Sequence, residues 1–570
     1  MQKGEISAII NKYVIIYRLK GRPLVRQFKP MLFSDLRDYK PNQLIRDIIA
    51  GVIVAIIALP LSIALAIASG VGPEAGLYTA IVAGFITAFF GGSSVQISGP
   101  TAAFATIVAG IVARSGVEGL ALATIIAGVL LIIMAVLKLG NLIRFIPHTI
   151  TTGFTAGIAV TLVIGQLKDF FGVSYLNGEA PIETIEKLKA FIESVSTINY
   201  QAVIVGLACL LVLIVWPKIC EKVPASLLAV AVGIIMVKGF GMQANTIGDL
   251  FTVNGSWPAF RLPVFSLSGV AAVFPDALTI ALLAGIESLL SCVVADGMVN
   301  KKHRSNAELL GQGLGNIGSA LFGGIPATGA IARTAANVKN GGRTPISGMV
   351  HSIVLLIVLV VLMPYAAWIP MPAIAAILIH VAYNMCQWRQ FVYLVKTSPK
   401  SDILILVTTF VLTVVFDLVV AIEVGLIAAC ILFMSRLSKE SKVESWQYVE
   451  QEDASGDKKL RLVPKHISVY ELKGPMFFAV AGEIAKIEPK PYTKCIILRM
   501  RAVPSMDTDA LIMLEQFVKK CQEQGITVVF SHVNEQPMKA MRKSGLHELV
   551  KEENICLNIE SALERGAALQ

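Results

Sequence analysis

From Asp47 to Arg436 the chain runs through 390 mostly apolar residues in which charged side chains are sparse, and from Leu437 onward it reads like a soluble protein. A bilayer span needs about 20 apolar residues, so a stretch of this length points to a polytopic membrane domain with a soluble appendage. Runs near 48–68, 76–91, 119–138, 146–167, 202–217, 225–240, 270–294, 345–364, 366–385, 402–417 and 419–436 have the length or nearly so. Weaker stretches near 95–113, 306–322 and 324–338 are rich in Gly, Ala, Ser and Thr and broken by Pro; counted as spans, they bring the total to fourteen. The chain is 15% charged, against about 25% in average soluble domains. That composition excludes a disordered chain, a disulfide-rich secreted module and an ordinary cytosolic enzyme.

Charge sets the direction of threading. The first 46 residues hold ten Lys/Arg and three Asp/Glu. With fourteen spans and a cytoplasmic N-terminus, the inner loops carry Lys138 and Arg144, Lys218 and Lys222, Lys301, Lys302 and Arg304, Lys339 and Arg343, then Arg389, Lys396 and Lys400. The longest outer loop, near 168–200, holds Asp169, Glu179, Glu183, Glu186 and Glu193 against three lysines. This is the positive-inside bias, and with an even number of spans it places both termini in the cytoplasm. The segment 8–17, AIINKYVIIY, has the length of a short interfacial helix. The first long apolar run has no cleavage site after it and reads as a retained span.

The net charge of +10 is a membrane-flank signature, since no aromatic and basic residues interleave as base stacking requires; no nucleic-acid partner is expected. The eight cysteines show no CxxC spacing and read as small buried hydrophobes in a reducing compartment. No zinc box, Walker-A loop or nucleophile elbow occurs. The sequence therefore points away from an enzyme or an ATP-driven pump and implies no cofactor and no metal.

The two halves of the apolar region resemble each other. VQISGPTAAFAT (95–106) pairs with GGIPATGAIART (323–334), placing Pro100 on Pro326, and FIPHTI (145–150) pairs with WIPMPAI (368–374), placing Pro147 on Pro370. Seven spans per half make the second half enter from the opposite side, an inverted-topology repeat with its site at the midplane. The segments SGPTAAFA and IPATGAIA are too short and broken for ordinary spans. Non-helical backbone at membrane depth is tolerated only where protein or a wet cavity satisfies it. A half-helix starting at each Pro would present free N–H donors and a partial positive charge, which suit an anion.

Glu287 lies mid-way along ALTIALLAGIESLLSCVVADG (277–297), with Ser288 adjacent and Ser291 one turn on. A carboxylate at that depth needs a proton, a cation or a basic partner, so Glu287 and Ser291 are the candidate ion-coupling pair, for a proton or sodium. Arg333, eight residues past Pro326, is a candidate for attracting the anion. His148, His351 and His380 sit on apolar runs without ligand spacing and read as packing residues. In the tail, HISVYEL, MFFAV, KCIILRM and ITVVFSH read as strands and 507–523, 535–544 and 559–565 as helices of an α/β domain. The charged stretch before it reads as a linker, giving boundaries of 1–46, 47–436, 437–463 and 464–570.

These motifs carry a family resemblance. ALPLSIALAIASGVGPEAGLYTA (58–80), SGPTAA (98–103), GIESLLSCVVADG (285–297), GGIPATGAIARTA (323–335) and DLVVAIEVG (417–425) resemble the sulfate permease (SulP) family, relatives of the animal solute carrier family 26 anion transporters. LRMRAVPSMDTDAL (498–511) resembles the STAS domain of anti-sigma-factor antagonists. The resemblance implies fourteen transmembrane segments in seven-plus-seven inverted repeats, a core and a gate domain, and a cytoplasmic α/β STAS domain. It implies an anion between Thr101, Ala102, Ala103 and Thr328, Gly329, Ala330, with Glu287 in coupling, and a homodimer. Two departures stand out. Ala332 replaces the hydroxyl residue that precedes the arginine in animal members, and Asp509 with Ala510 replaces the serine and glycine of the phosphorylated STAS loop. A cytosolic regulatory protein is a possible partner of the STAS domain. The leading function is proton-coupled symport of sulfate, bicarbonate or a C4-dicarboxylate. Alternatives are sodium coupling, an uncoupled anion channel, a nucleobase transporter on the same fold, and a membrane-anchored STAS regulatory scaffold.

Overall fold

The computed structural model describes residues 27–140, 147–176, 181, 183–220, 223–253, 255–416, 418–440, 442–446, 448–452, 458–478, 484 and 487–569. Segment 8–17, Phe145, Ile146, Arg144, Glu179 and Lys222 lie outside the described residues. The chain divides into two compact units, one through Leu426 and one from Ile427.

The first unit is helical: α1 (Pro41–Ala68), α2 (Pro73–Phe90), α3 (Ala102–Val136), α4 (His148–Phe171), α5 (Tyr200–Ile219), α6 (Ala225–Ile234), α7 (Leu267–Val299), α8 (Ser305–Leu321), α9 (Ile331–Lys339), α10 (Ile346–Ala366), α11 (Met371–Cys386) and α12 (Lys400–Val415), followed by α13 (Leu418–Glu440) across the division. Among the described residues, seven of these, α1 to α5, α7 and α10, are long and apolar enough to cross a membrane. Proline sets the starts of α1 and α2: Pro41 and Pro73 occupy the first helical position, where a missing N–H is harmless. Exposed Ile204, Leu207 and Leu211 on α5, and Ile353, Ile357 and Val361 on α10, give these helices the apolar outer faces that lipid requires. α3 is interrupted at Gly116, with φ 69° and ψ −175°, a region only glycine occupies without strain. That residue separates the two runs read from the sequence as 95–113 and 119–138.

Packing sorts these helices into two sets. In one, α3 packs on α7 and α8, α2 on α8 and α10, and α1 on α10; in the other, α4 packs on α11 and α12, and α5 on α6 and α11. The first set holds the broken segments. Two short strands, β1 (Ser98–Gly99) and β2 (Thr328–Gly329), pair antiparallel, Ser98 opposite Gly329 and Gly99 opposite Thr328. The sequence expectation of helices starting at Pro100 and Pro326 is corrected here. The chain stays extended past both prolines, and α3 begins at Ala102 and α9 at Ile331. The extended backbone finds its hydrogen bonds in the opposite segment, as Ala330 N–H donating to the Ile97 carbonyl at 2.9 Å shows. Burial at this depth leaves no water to serve that role.

The second unit contains a five-stranded sheet ordered β3-β6-β7-β8-β9: β3 (Lys442–Trp446) joins antiparallel, while β6 (Ile467–Lys473), β7 (Cys495–Ala502), β8 (Thr527–Ser531) and β9 (Ile555–Cys556) run parallel. β4 (Tyr448–Glu452) and β5 (Lys458–Leu462) form a separate hairpin. The 437–463 linker expectation is therefore corrected: this stretch holds three strands. Its charged residues fall on an edge strand and a two-stranded hairpin, each paired along one side. Of the expected MFFAV strand only an isolated bridge, Met476 to Met506, is formed among the described residues. α14 (Thr508–Glu523), α15 (Glu535–Ser544) and α16 (Ile559–Ala567) match the helical pattern. Leu514, Phe517 and Met541 pack on one face of the sheet with Leu498 and Phe530, and Ile559, Ala562 and Leu563 on the other with Ile497 and Val529.

Two measurements test this architecture. Gly116→Ala meets open space yet imposes strain, so thermal stability of the purified protein should fall by about 1–3 kcal/mol. Burial pushes the Cys521 thiol up to about 11 and Cys495 up to about 12. The neutral form therefore persists at pH 8, where the reactive thiolate is roughly a thousandth or less of either. Mass-mapped alkylation at pH 8 should spare both cysteines while the partly exposed Cys556 reacts.

Candidate functional site

The strand pair is held from three sides by short polar side chains. From α7, Glu287 Oε2 accepts from Thr101 Oγ1 at 3.0 Å, and the Ala284 carbonyl, one turn earlier, accepts from Thr328 Oγ1 at 2.9 Å. One helix face thus grips the chain just past β1 and β2 itself. From α9, Thr334 Oγ1 accepts from Ile97 N–H at 3.1 Å, and Asn337 Nδ2 donates to the Val95 carbonyl at 2.8 Å. From α8, Asn316 receives the Ala327 N–H and donates to the Ala327 carbonyl, both at 2.9 Å.

Behind β1 lies a carboxylate that sequence reasoning passed over. Glu308, in α8, is 1% exposed. Its Oε1 accepts from Gln96 Nε2 at 2.7 Å, Ser288 Oγ at 3.0 Å and Gln312 Nε2 at 3.1 Å. Its Oε2 accepts from the N–H groups of Gly92 at 2.9 Å and Ser93 at 3.2 Å. Gln312 Nε2 also donates to Ser98 Oγ at 2.7 Å. Five donors from three segments, the 92–96 loop, α7 and α8, saturate one buried carboxylate, which fixes geometry. A signal existed: Glu308, Gln312 and Asn316 recur at i, i+4 and i+8, one face of a helix.

The sequence-predicted residues sort clearly. Thr101 and Glu287 are brought together. Ser291 is not joined to Glu287; it donates to Thr334 Oγ1 at 3.4 Å and ties α7 to α9. Ala102 and Ala103 are the first two residues of α3, before Phe104 N–H reaches the Thr101 carbonyl, so their N–H groups have no acceptor inside the helix. Gly329 lies in the strand pair, and the Ala330 N–H is taken by Ile97. The free donors at the second amino end therefore start at Ile331 rather than at Thr328 or Ala330, because Thr334 N–H is the first to bond back, to Ala330. Arg333 is 3% exposed and its Nη1 has no hydrogen-bond partner. That nitrogen would lie 2.8 Å from a Cβ on Gly99, so the bare glycine of β1 makes room for the guanidinium. Among the described residues no acidic side chain forms an ion pair with it. A separate cavity of about 710 Å³, lined by Tyr78, Glu118, Arg261 and Ile325 among others, contains none of the predicted residues.

In the second unit, Asp507, two residues before the Asp509 that stands at the phosphorylated-serine position, caps a helix. Its Oδ1 accepts from Ala510 N–H and its Oδ2 from Phe478 N–H, both at 2.9 Å, so it starts α14 and anchors the preceding loop.

Residues 44–409 match the model of the sulfate permease family. The chain belongs to that family. Residues 461–562 match the STAS domain. The chain is 38% identical over 535 residues to YvdB of Bacillus subtilis (strain 168), covering 92% of this chain and 98% of that one. It is 33% identical over 542 residues to the bicarbonate transporter BicA of Synechocystis sp., covering 92% and 94%. Its fold is that of the murine solute carrier 26 family member A9 anion transporter in the inward-facing state, with TM-score 0.84 over 96% of this chain and 95% of that one at 17% identity. The helical membrane unit and the α/β STAS unit are thus features of the fold, and the relatives are membrane transporters.

Removing the Glu308 carboxylate strands five donors. Glu308→Ala should lower thermal stability in detergent by about 3 kcal/mol or more, and Glu308→Gln, which keeps one acceptor oxygen, by less; differential scanning fluorimetry of the purified variants checks both.

Proposed function

We propose that this member of the sulfate permease family carries out secondary active transport of a small oxyanion, sulfate or bicarbonate, coupled to protons through Glu287. The observation that carries the reading is Arg333: a guanidinium buried in the first unit, against Gly99 of β1, with Nη1 unpartnered and no carboxylate paired to it among the described residues. A buried cation without a partner is costly, and a bound anion is the group that relieves it. The N–H groups of Ala102 and Ala103, and of Ile331 and Ala332, begin helices that leave the same strand pair, and helix amino ends favour negative charge. The sulfate permease family and the bicarbonate transporter among the relatives narrow the class to oxyanions.

Glu287 supplies the coupling. Its one hydrogen bond is from Thr101, directly before the first half-helix, so a proton arriving on Glu287 and an anion arriving at Ala102 act on neighbouring groups. A protonated Glu287 removes a negative charge from beside the incoming anion, which makes binding of the two cooperative. On this reading the kinked α3 counts as two of fourteen segments and the shorter helices as spans. The set with α1, α2, α3 and α7 to α10 is the core, and the set with α4 to α6 and α11 to α13 the gate. The STAS domain assembles a homodimer in the bacterial inner membrane, faces the cytoplasm with the N-terminus, and is the docking point of any regulatory protein.

Uptake of labelled sulfate and bicarbonate into proteoliposomes tests the proposal, with oxalate, succinate, fumarate and uracil as competitors. Arg333→Leu should cut uptake of the anion by about tenfold to a hundredfold, as loss of a charged hydrogen bond implies. Glu287→Gln should retain binding by thermal shift and lose stimulation by an inward proton gradient. Undiminished proton-driven uptake by Glu287→Gln removes that residue from coupling. Uptake that follows a sodium gradient alone replaces the proton, and competition by uracil but by neither oxyanion replaces the anion.

A further inference from the structure

The strand pair has a neighbour that neither the network nor the coupling reading uses. α10 runs beside β1: a Cβ on Gly348 would stand 3.4 Å from the Gln96 carbonyl oxygen, and Ser352 Oγ donates to the Ala80 carbonyl at 3.1 Å. Ala80 in turn lies 3.6 Å from the Cβ position of Gly99, the residue against which Arg333 Nη1 rests. Between Gly348 and Ser352 sits His351. Its ring is fully buried at 0% exposure, and neither Nδ1 nor Nε2 has a hydrogen-bond partner.

An imidazole always carries at least one N–H, and its neutral form also offers a lone pair on the other nitrogen. Buried polar groups are almost always paired, and an exception calls for a bound species. Packing alone accounts poorly for this residue, because an apolar side chain of similar volume would fill the place without stranding two nitrogens. The unmet nitrogens of His351 and the unmet Nη1 of Arg333 are nine-tenths or more buried, and both side chains belong to elements that flank β1. An acceptor-rich solute held by the guanidinium is the species that answers both.

We propose that His351 is a binding residue of the oxyanion site, its ring hydrogen-bonding an oxygen of the anion that Arg333 holds beside β1. This rests on the oxyanion reading above and adds a specificity-determining contact from α10. The ring favours a polyatomic oxyanion, which can offer one oxygen to the guanidinium and another to the ring N–H, over chloride, which has a single acceptor atom.

The test is the kinetics of sulfate and bicarbonate uptake by full-length protein in proteoliposomes, with ligand-free thermal midpoints measured alongside. His351→Phe, which keeps an aromatic ring but no hydrogen bond, should raise KM for the oxyanion by about tenfold, the loss of one hydrogen bond to a charged group. Vmax and the ligand-free midpoint should hold, and inhibition by chloride should be unchanged. His351→Gln, which restores a donor, should recover part of the affinity and carries the same test if the Phe variant does not fold. Wild-type transport with KM unchanged to within twofold in both variants overturns the assignment while leaving the oxyanion reading intact. A fall in the ligand-free midpoint with unchanged KM makes His351 a packing residue and overturns it equally. Wild-type protein that moves neither oxyanion, and is stabilised by neither, overturns the oxyanion reading itself and this contact with it.

Discussion

Backbone amides at membrane depth must find partners within the protein, and that requirement organises the first unit. Two segments that cannot be helical around Pro100 and Pro326 solve it by pairing with each other, Ser98–Gly99 against Thr328–Gly329. Two residues per strand make too small a ladder to stand alone, so side chains complete it. Asn316 and Asn337 serve as surrogate backbone on one segment each, and Thr328 closes onto the Ala284 carbonyl. The helices that follow leave this crossing with unmet N–H groups at their starts. The chemistry attributed to the site is what remains once the backbone's own needs are met.

Besides His351, Glu308, Glu287 and Arg333 stand around the crossing and differ in how far the protein satisfies them. Glu308 has five donors and no freedom; it is scaffold. Glu287 has one donor, from a residue that directly precedes a helix amino end. Arg333 has an unmet nitrogen. On the proposed reading, satisfaction and function run in opposite directions: a group proposed to exchange a proton or hold cargo needs capacity left when the cargo is gone.

Much of this was legible in the sequence. A lone carboxylate in an apolar run, Glu287, and a Pro with small residues at matching places in both halves, Pro100 and Pro326, are contrasts that stand out one residue at a time. The strands were invisible because two residues carry no period to read, so the helix starts were placed at the prolines, two and five residues early. Glu308 was hidden for a different reason: α8 is interspersed with Gly311, Gly313, Gly315 and Gly318, and a polar stripe reads as weakness in a span rather than as a face turned inward. In the tail, parallel strands with strong apolar runs, such as KCIILRM, announced themselves. The charged 437–463 stretch did not, since an edge strand shows its charge to a sequence reader and its pairing only to a structure.

The pairing of β1 with β2 joins positions 231 residues apart, 98 and 329. A ribosome adding about 5–20 residues per second reaches the second strand roughly ten to fifty seconds after making the first. Throughout that interval the first half sits in the bilayer with an open hydrogen-bonding edge and an unfinished floor. The crossing is therefore an end product of biogenesis, closed when the later half threads in, and a chain truncated between the halves lacks the partner strand that completes it.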